Sequence, residues 1–158
     1  IDALTEERTM IFCDHTSAEK MNSKRVTVMK PGKEIILFGN IKVETIAAYN
    51  TTEGHTQFHP KEREDCGYIF NIGGSRIYVS GDTENTPEMK SLKDIDVAFL
   101  PVNQPFTMTV DEALDAIKTI HPKVFYPYHY GGTDQKTDIN RLTEEGKKYT
   151  DVRIRNME

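Results

Sequence analysis

The chain has 158 residues, enough for one domain that buries about two thirds of its unfolded surface. Hydrophobic residues make up 37% and charged residues 28%; the net charge of −5, without a long Lys/Arg run, argues against a nucleic-acid groove or an anionic membrane as partner. No apolar run approaches the roughly 18–20 residues that span a bilayer, and Cys13 and Cys66 lie far apart without a CxxC partner, as free thiols of a reducing, cytoplasmic compartment do.

The chain opens on Ile1-Asp2, with neither an initiator methionine nor a charged-then-apolar signal pattern, so an upstream segment is expected to have been removed. Residues 10–13, MIFC, read as a short buried strand. Residues 16–21 read as a short helix capped by Thr16, and residues 26–29 as a second strand. Pro31-Gly32 is turn punctuation. Residues 34–38 and 41–49 then predict a hairpin across a two-residue Gly39-Asn40 connection. Residues 50–66, NTTEGHTQFHPKEREDC, are polar and aperiodic. A stretch of that length without its own structure is usually functional or disordered.

Residues 67–72 resume as a strand, and RIYVS at 76–80 alternates as another before running into Gly81-Asp82-Thr83. Thr86-Pro87 predicts a helix start, with threonine as cap and proline at the first helical position. DVAFLP at 96–101 is apolar almost throughout, as a strand covered on both faces would be. Thr109-Val-Asp-Glu112 is a capping box, and Val110, Ala113, Leu114, Ile117 and Ile120 follow at core spacing on one helical face. A strand at 123–128 leads into YHYGG. A helix carrying Ile139 and Leu142 comes next, then a short edge strand at 152–155. Strands first and strand–helix units afterwards define a layered α/β protein in a single domain over residues 1–158.

Polar groups recur at the strand ends and in the irregular loop: His55 and His59, Asp82, and His129. Imidazole and carboxylate together are the ligand set of zinc and similar divalent ions. The residues alone leave a capping aspartate at 82 and a hydrogen-bonded structural histidine at 129 equally open. His15 and His121 read as surface or helix-end residues.

The order strand, GDT, short helix, DVAFLP, NQPFTM, helix, strand, YHYG resembles the C-terminal part of metallo-β-lactamase-fold hydrolases. Within them it is most similar to the ascorbate-6-phosphate-lactonase-like metal-dependent branch, and AYN…FHPKEREDCGYIF resembles the same branch. The likeness runs over residues 34–133. It implies a four-layer αββα sandwich with a di-metal centre, of zinc or sometimes manganese, at one edge of the two sheets. By that resemblance Asp82 takes the place of the catalytic carboxylate that bridges both metals. His129 takes that of the last histidine ligand and His59 that of the middle one, with His55 the alternative. Tyr128, Tyr130, Asn103 and Thr107 become candidates for the pocket wall. The implied reaction is attack of metal-bound hydroxide on an ester, lactone, amide or phosphoester of a small-molecule substrate.

The family's first ligand motif, HxHxDH, is not in this sequence. The expectation is therefore an N-terminally incomplete form of the fold, weakly active or inactive alone. Its exposed sheet edge would favour self-association into a homo-oligomer. The rival expectation is a non-catalytic interaction or regulatory domain that keeps the fold without that motif.

Overall fold

The computed structural model describes residues 5–22, 25–132 and 134–157. Ile1, Asp2 and Thr133, on which the expected chain start and the end of the matched stretch fall, lie outside them. The elements run β1 (Ile11–Cys13), α1 (His15–Glu19), β2 (Val26–Val28), β3 (Glu34–Leu37), β4 (Ile41–Ala47), β5 (Cys66–Ile72), β6 (Ser75–Val79), α2 (Pro87–Lys90), β7 (Val97–Pro101), α3 (Val110–Ile120), β8 (Val124–Tyr128), α4 (Ile139–Gly146) and β9 (Asp151–Val152).

Strands β3 to β9 form one seven-stranded sheet in sequential order, and β1 pairs with β2 in a separate parallel ribbon. Pairing is antiparallel from β3 through β6 and parallel from β6 through β9. The change falls at β6, the first strand of this sheet followed by a helical crossover, because parallel neighbours need a long return connection. The C-terminal ends of β6, β7 and β8 therefore share one sheet edge with the start of β5.

One face of the sheet carries Ile69, Tyr78, Ala98, Leu100 and Phe125. They close into a core with Met89 of α2, Ala113, Leu114, Ile117 and Ile120 of α3, and Leu142 of α4. Burying side chains of this size contributes about 1.5–3 kcal/mol each. Helix α3 presents its apolar stripe as the spacing predicts, and the Thr109–Glu112 capping box is formed at both of its hydrogen bonds. Thr86 caps α2 and Pro87 opens it. His121 ends α3 in the left-handed region at φ 45°, exposed.

Several local expectations need correction. Helix α1 is capped by Asp14, whose carboxylate accepts from the Ser17 N–H, and Thr16 lies inside it. The β3–β4 hairpin pairs Leu37 with Ile41, so its loop is Phe38-Gly39-Asn40 rather than two residues. Phe38 and Gly39 both have positive φ there, which a two-residue connection would not have required of a phenylalanine. Strand β9 is shorter than expected, although Arg153 still bonds back to the Phe125 carbonyl. Strand β7 is covered on one face by the helices, while Val97 and Phe99 on the other stay half-exposed among the described residues. The loop from Asn50 to Asp65 is built of turns and a 3-10 turn at Lys61–Arg63.

Candidate functional site

Asp82 follows β6 by way of Gly81, whose φ of 68° suits glycine. Its backbone is held from below. The Tyr128 hydroxyl, at the end of β8, donates to the Gly81 carbonyl at 2.7 Å. A Cβ on Gly81 would stand 3.1 Å from the Cys66 carbonyl oxygen, so β5 crowds the same turn. The next residue after Tyr128, His129, carries its Nδ1 to 3.2 Å from the Asp82 Oδ1. His129 is a non-glycine residue at φ 56°, a conformation that costs on the order of 1–3 kcal/mol and persists where its surroundings enforce it. The enforcement comes from its own N–H, which donates to the Met157 carbonyl at 2.9 Å.

His59 reaches the same region from the irregular loop. Together with Asp82 it lines a cavity of about 490 Å³ that Asp14, Ser17, Arg63 and Cys66 also wall. Burial holds the His59 imidazole below its ordinary pKa. Asp82 and Asp65 oppose that shift, and Arg63 and His129 reinforce it. Its Nδ1 lies 3.0 Å from Arg63 Nη2. Burial pushes the Cys66 thiol up to about 11, with Asp65 and Asp14 adding to it, so this wall offers a protonated thiol at neutral pH.

The loop bearing His59 is clamped to the loop bearing Asp82 by neighbours that the sequence alone did not single out. Thr83 accepts from the Tyr49 N–H and donates to the Tyr49 carbonyl, each at 2.9 Å. Glu84, 1% exposed, accepts the Thr51 and Thr52 N–H groups at 2.7 Å and the Thr51 hydroxyl at 2.9 Å. Burial by itself would raise the Glu84 carboxyl, but these donors outweigh it and hold the carboxyl below its ordinary value. Asn50 completes the clamp. Its N–H donates to the His59 carbonyl at 2.8 Å, and its side-chain amide to the Phe106 carbonyl at 2.7 Å. One signal was available: GDTENT places a glutamate two residues after the candidate aspartate, in a stretch otherwise rich in hydroxyls and amides.

Of the residues expected at the site, Asp82 and His129 are in contact, and His59 shares the cavity wall with Asp82. His55 turns elsewhere, with its Nδ1 3.4 Å from Glu84 Oε1. Tyr128 supports the Asp82 turn. Tyr130 donates to the Arg155 carbonyl of the C-terminal segment, and Thr107, 1% exposed, accepts the Asn103 N–H at 2.9 Å within its own loop. The donors suit a divalent cation in chemistry, as two imidazoles and a carboxylate. In number they fall short: among the described residues no three His, Cys, Asp or Glu side chains converge to hold a metal ion.

This sheet, with its helices on one face and its polar strand-end edge, defines a class. A family profile described as the beta-lactamase superfamily domain matches residues 6–129, and the chain belongs to that superfamily. Among curated relatives it is 38% identical over 108 residues to a UPF0173 metal-dependent hydrolase of Symbiobacterium thermophilum, covering 63% of this chain and 44% of that protein. A UPF0173 metal-dependent hydrolase of Methanosarcina mazei is 30% identical over 91% of this chain and 64% of its own length. The chain therefore spans between 44% and 64% of the length of these relatives. A crystal structure described as a metal-dependent hydrolase from Parabacteroides distasonis superposes with a TM-score of 0.90 at 44% identity, covering 100% of this chain and 69% of that one. Igni18, a metallo hydrolase from Ignicoccus hospitalis, shares the fold, with a TM-score of 0.77 at 21% identity. Among the described residues no helix is long and apolar enough to cross a membrane.

Proposed function

We propose that this chain carries part of the metal centre of a metal-dependent hydrolase acting on an ester, lactone or phosphoester of a small molecule. The observation that carries the reading is the contact between Asp82 and His129, brought from the ends of β6 and β8 to 3.2 Å at one sheet edge. Relatives named as metal-dependent hydrolases support it. Asp82 and His129 would hold the divalent metal, zinc by resemblance, with His59, which lines the same cavity as Asp82, as the further ligand the resemblance implies. When bound, such a cation acts as a Lewis acid toward the substrate's polarised oxygen and lowers the pKa of water. The chain's own residues fix the donors. Tyr128 and Gly81 set the Asp82 turn, Met157 sets His129, and Glu84 with Thr83 and Asn50 sets the loop of His59. The likeness to the ascorbate-6-phosphate-lactonase-like branch favours a sugar-derived lactone or phosphoester as substrate.

The test is zinc content after dialysis, measured on the unmodified chain, Asp82→Ala and His129→Ala. Both variants are expected to lose bound zinc, and unchanged content in both rejects the assignment. That no third ligand converges among the described residues favours a second reading, an interaction domain that keeps the fold without metal chemistry. Less than about a tenth of a zinc per unmodified chain, at concentrations where catalytic sites with three protein ligands fill, would select it.

A further inference from the structure

His59 is bound in a way that bears on whether it can be a ligand at all. Arg63 Nη2 stands 3.0 Å from His59 Nδ1. A guanidinium has only donors, so Nδ1 must be the acceptor, and the proton of a neutral imidazole is then on Nε2. Further contacts hold Arg63 in this position. Its Nε donates to Asp65 Oδ2 at 2.5 Å, Nη2 shares the same carboxylate oxygen, and Nη1 reaches the Phe58 carbonyl at 3.4 Å. Asp65 is itself only 18% exposed and holds the guanidinium in place.

Both routes to the metal are closed in this arrangement. Ligation through Nδ1 needs the lone pair that Arg63 occupies. Ligation through Nε2 needs the proton moved to Nδ1, where it would point at an Arg63 N–H. A ligating histidine normally donates its second ring N–H to a carboxylate or carbonyl, and here a cation stands in that place.

We propose that Arg63, anchored by Asp65, is a positioning residue that holds His59 in the Nε2-protonated tautomer and withholds it from the metal until the guanidinium withdraws. In the held state His59 presents an N–H in the cavity wall beside Asp82, a donor suited to an oxygen of a bound ligand. The metal half of this inference rests on the metal-centre reading above; the tautomer half does not.

The test begins with the metal-free, ¹⁵N-labelled full chain at about pH 8, above the ordinary imidazole range. Long-range ¹H–¹⁵N correlations, assigned by comparison with His59→Gln, report the tautomer. The unmodified chain is expected to show His59 with its proton on Nε2, and Arg63→Leu to lose that preference. Zinc titration by calorimetry should then show Arg63→Leu binding about tenfold tighter, within the range by which groups behind a ligand change metal affinity. Asp65→Asn, which loosens Arg63 without removing it, should fall between the two and serves if Arg63→Leu does not fold. An Nδ1–H tautomer in the unmodified chain overturns the proposal, and so does unchanged or weaker zinc binding in Arg63→Leu. Because the tautomer is read without metal, that measurement is independent of what Asp82→Ala shows about the metal centre.

Discussion

Glu84 sits at 1% exposure because the Thr51 and Thr52 amides supply what water would otherwise give a carboxylate. Replacing it with alanine leaves those buried donors without an acceptor, at a cost of about 1–3 kcal/mol. Thermal melts followed by circular dichroism should show Glu84→Ala unfolding lower by roughly 2–4 °C per kcal/mol for a chain of this size. A melt unchanged from the parent would mean that water replaces the carboxylate. Its folded-state pKa lies below the ordinary value, so the ionised form is the stabilising one. That contribution is present above the unfolded pKa of about 4.3 and is lost as pH falls through the folded value. Melting temperature should therefore drop more steeply below about pH 4.3 in the unmodified chain than in Glu84→Gln. Parallel curves for the two would remove Glu84 from the acid transition.

Two elements show how a local rule and a tertiary contact divide the work. Helix α3 starts where Thr109 and Glu112 cap each other: Glu112 N–H donates to Thr109 Oγ1 at 3.1 Å and Thr109 N–H to Glu112 Oε2 at 2.8 Å. Thr109→Ala should cost about 1 kcal/mol, measured by urea unfolding, with loss well under half of that counting against the cap. Gly67 is the second residue of strand β5, and a Cβ there would stand 2.7 Å from the Ser80 carbonyl oxygen. The obstacle is backbone, which cannot step aside as a side chain can. Gly67→Ala should destabilise by roughly 1–3 kcal/mol through overpacking, even though alanine suits a strand better than glycine. On the proposed metal-centre reading it should also weaken zinc retention, because Ser80 leads directly into Gly81 and Asp82. Normal stability and normal zinc retention together would show that the sheet end absorbs the methyl group.

On the scale of the whole molecule, the sheet has one closed face and, among the described residues, one largely open one. Tyr68, Val79, Phe99 and Tyr126 lie in register across β5 to β8, with Phe70, Ile77, Val97 and Val124 in the next row. All of these are half-exposed, and the Phe99 and Tyr126 rings stack at 5.0 Å. At the β3–β5 end of that face, Phe12 of the β1–β2 ribbon lines a cavity of about 230 Å³ with Ile35, Leu37, Tyr68 and Phe70. A contiguous apolar surface of this kind favours association. Sedimentation velocity of the isolated chain is expected to show concentration-dependent self-association that Phe99→Ser weakens. A single monomer boundary at every concentration would count against it.

The sequence by itself determined the elements whose signal is local. Thr86-Pro87 and the Thr109–Glu112 box placed two helix starts, the apolar spacing of α3 identified its buried face, and Gly81-Asp82 announced a turn bearing a carboxylate at a strand end. Such signals depend on residues within a few positions of one another, so periodicity and capping chemistry carry them. The cap at Asp14, the three-residue hairpin loop and the one-sided cover of β7 depend instead on which local option the neighbours select. Only the tertiary structure decided that Asp82 meets His129, that His55 turns to Glu84, and that Arg63 faces the Nδ1 of His59. Those facts follow from strand order and loop path, which bring distant residues together. A histidine's role is set by what faces each of its two nitrogens, and residue spacing carries no record of that.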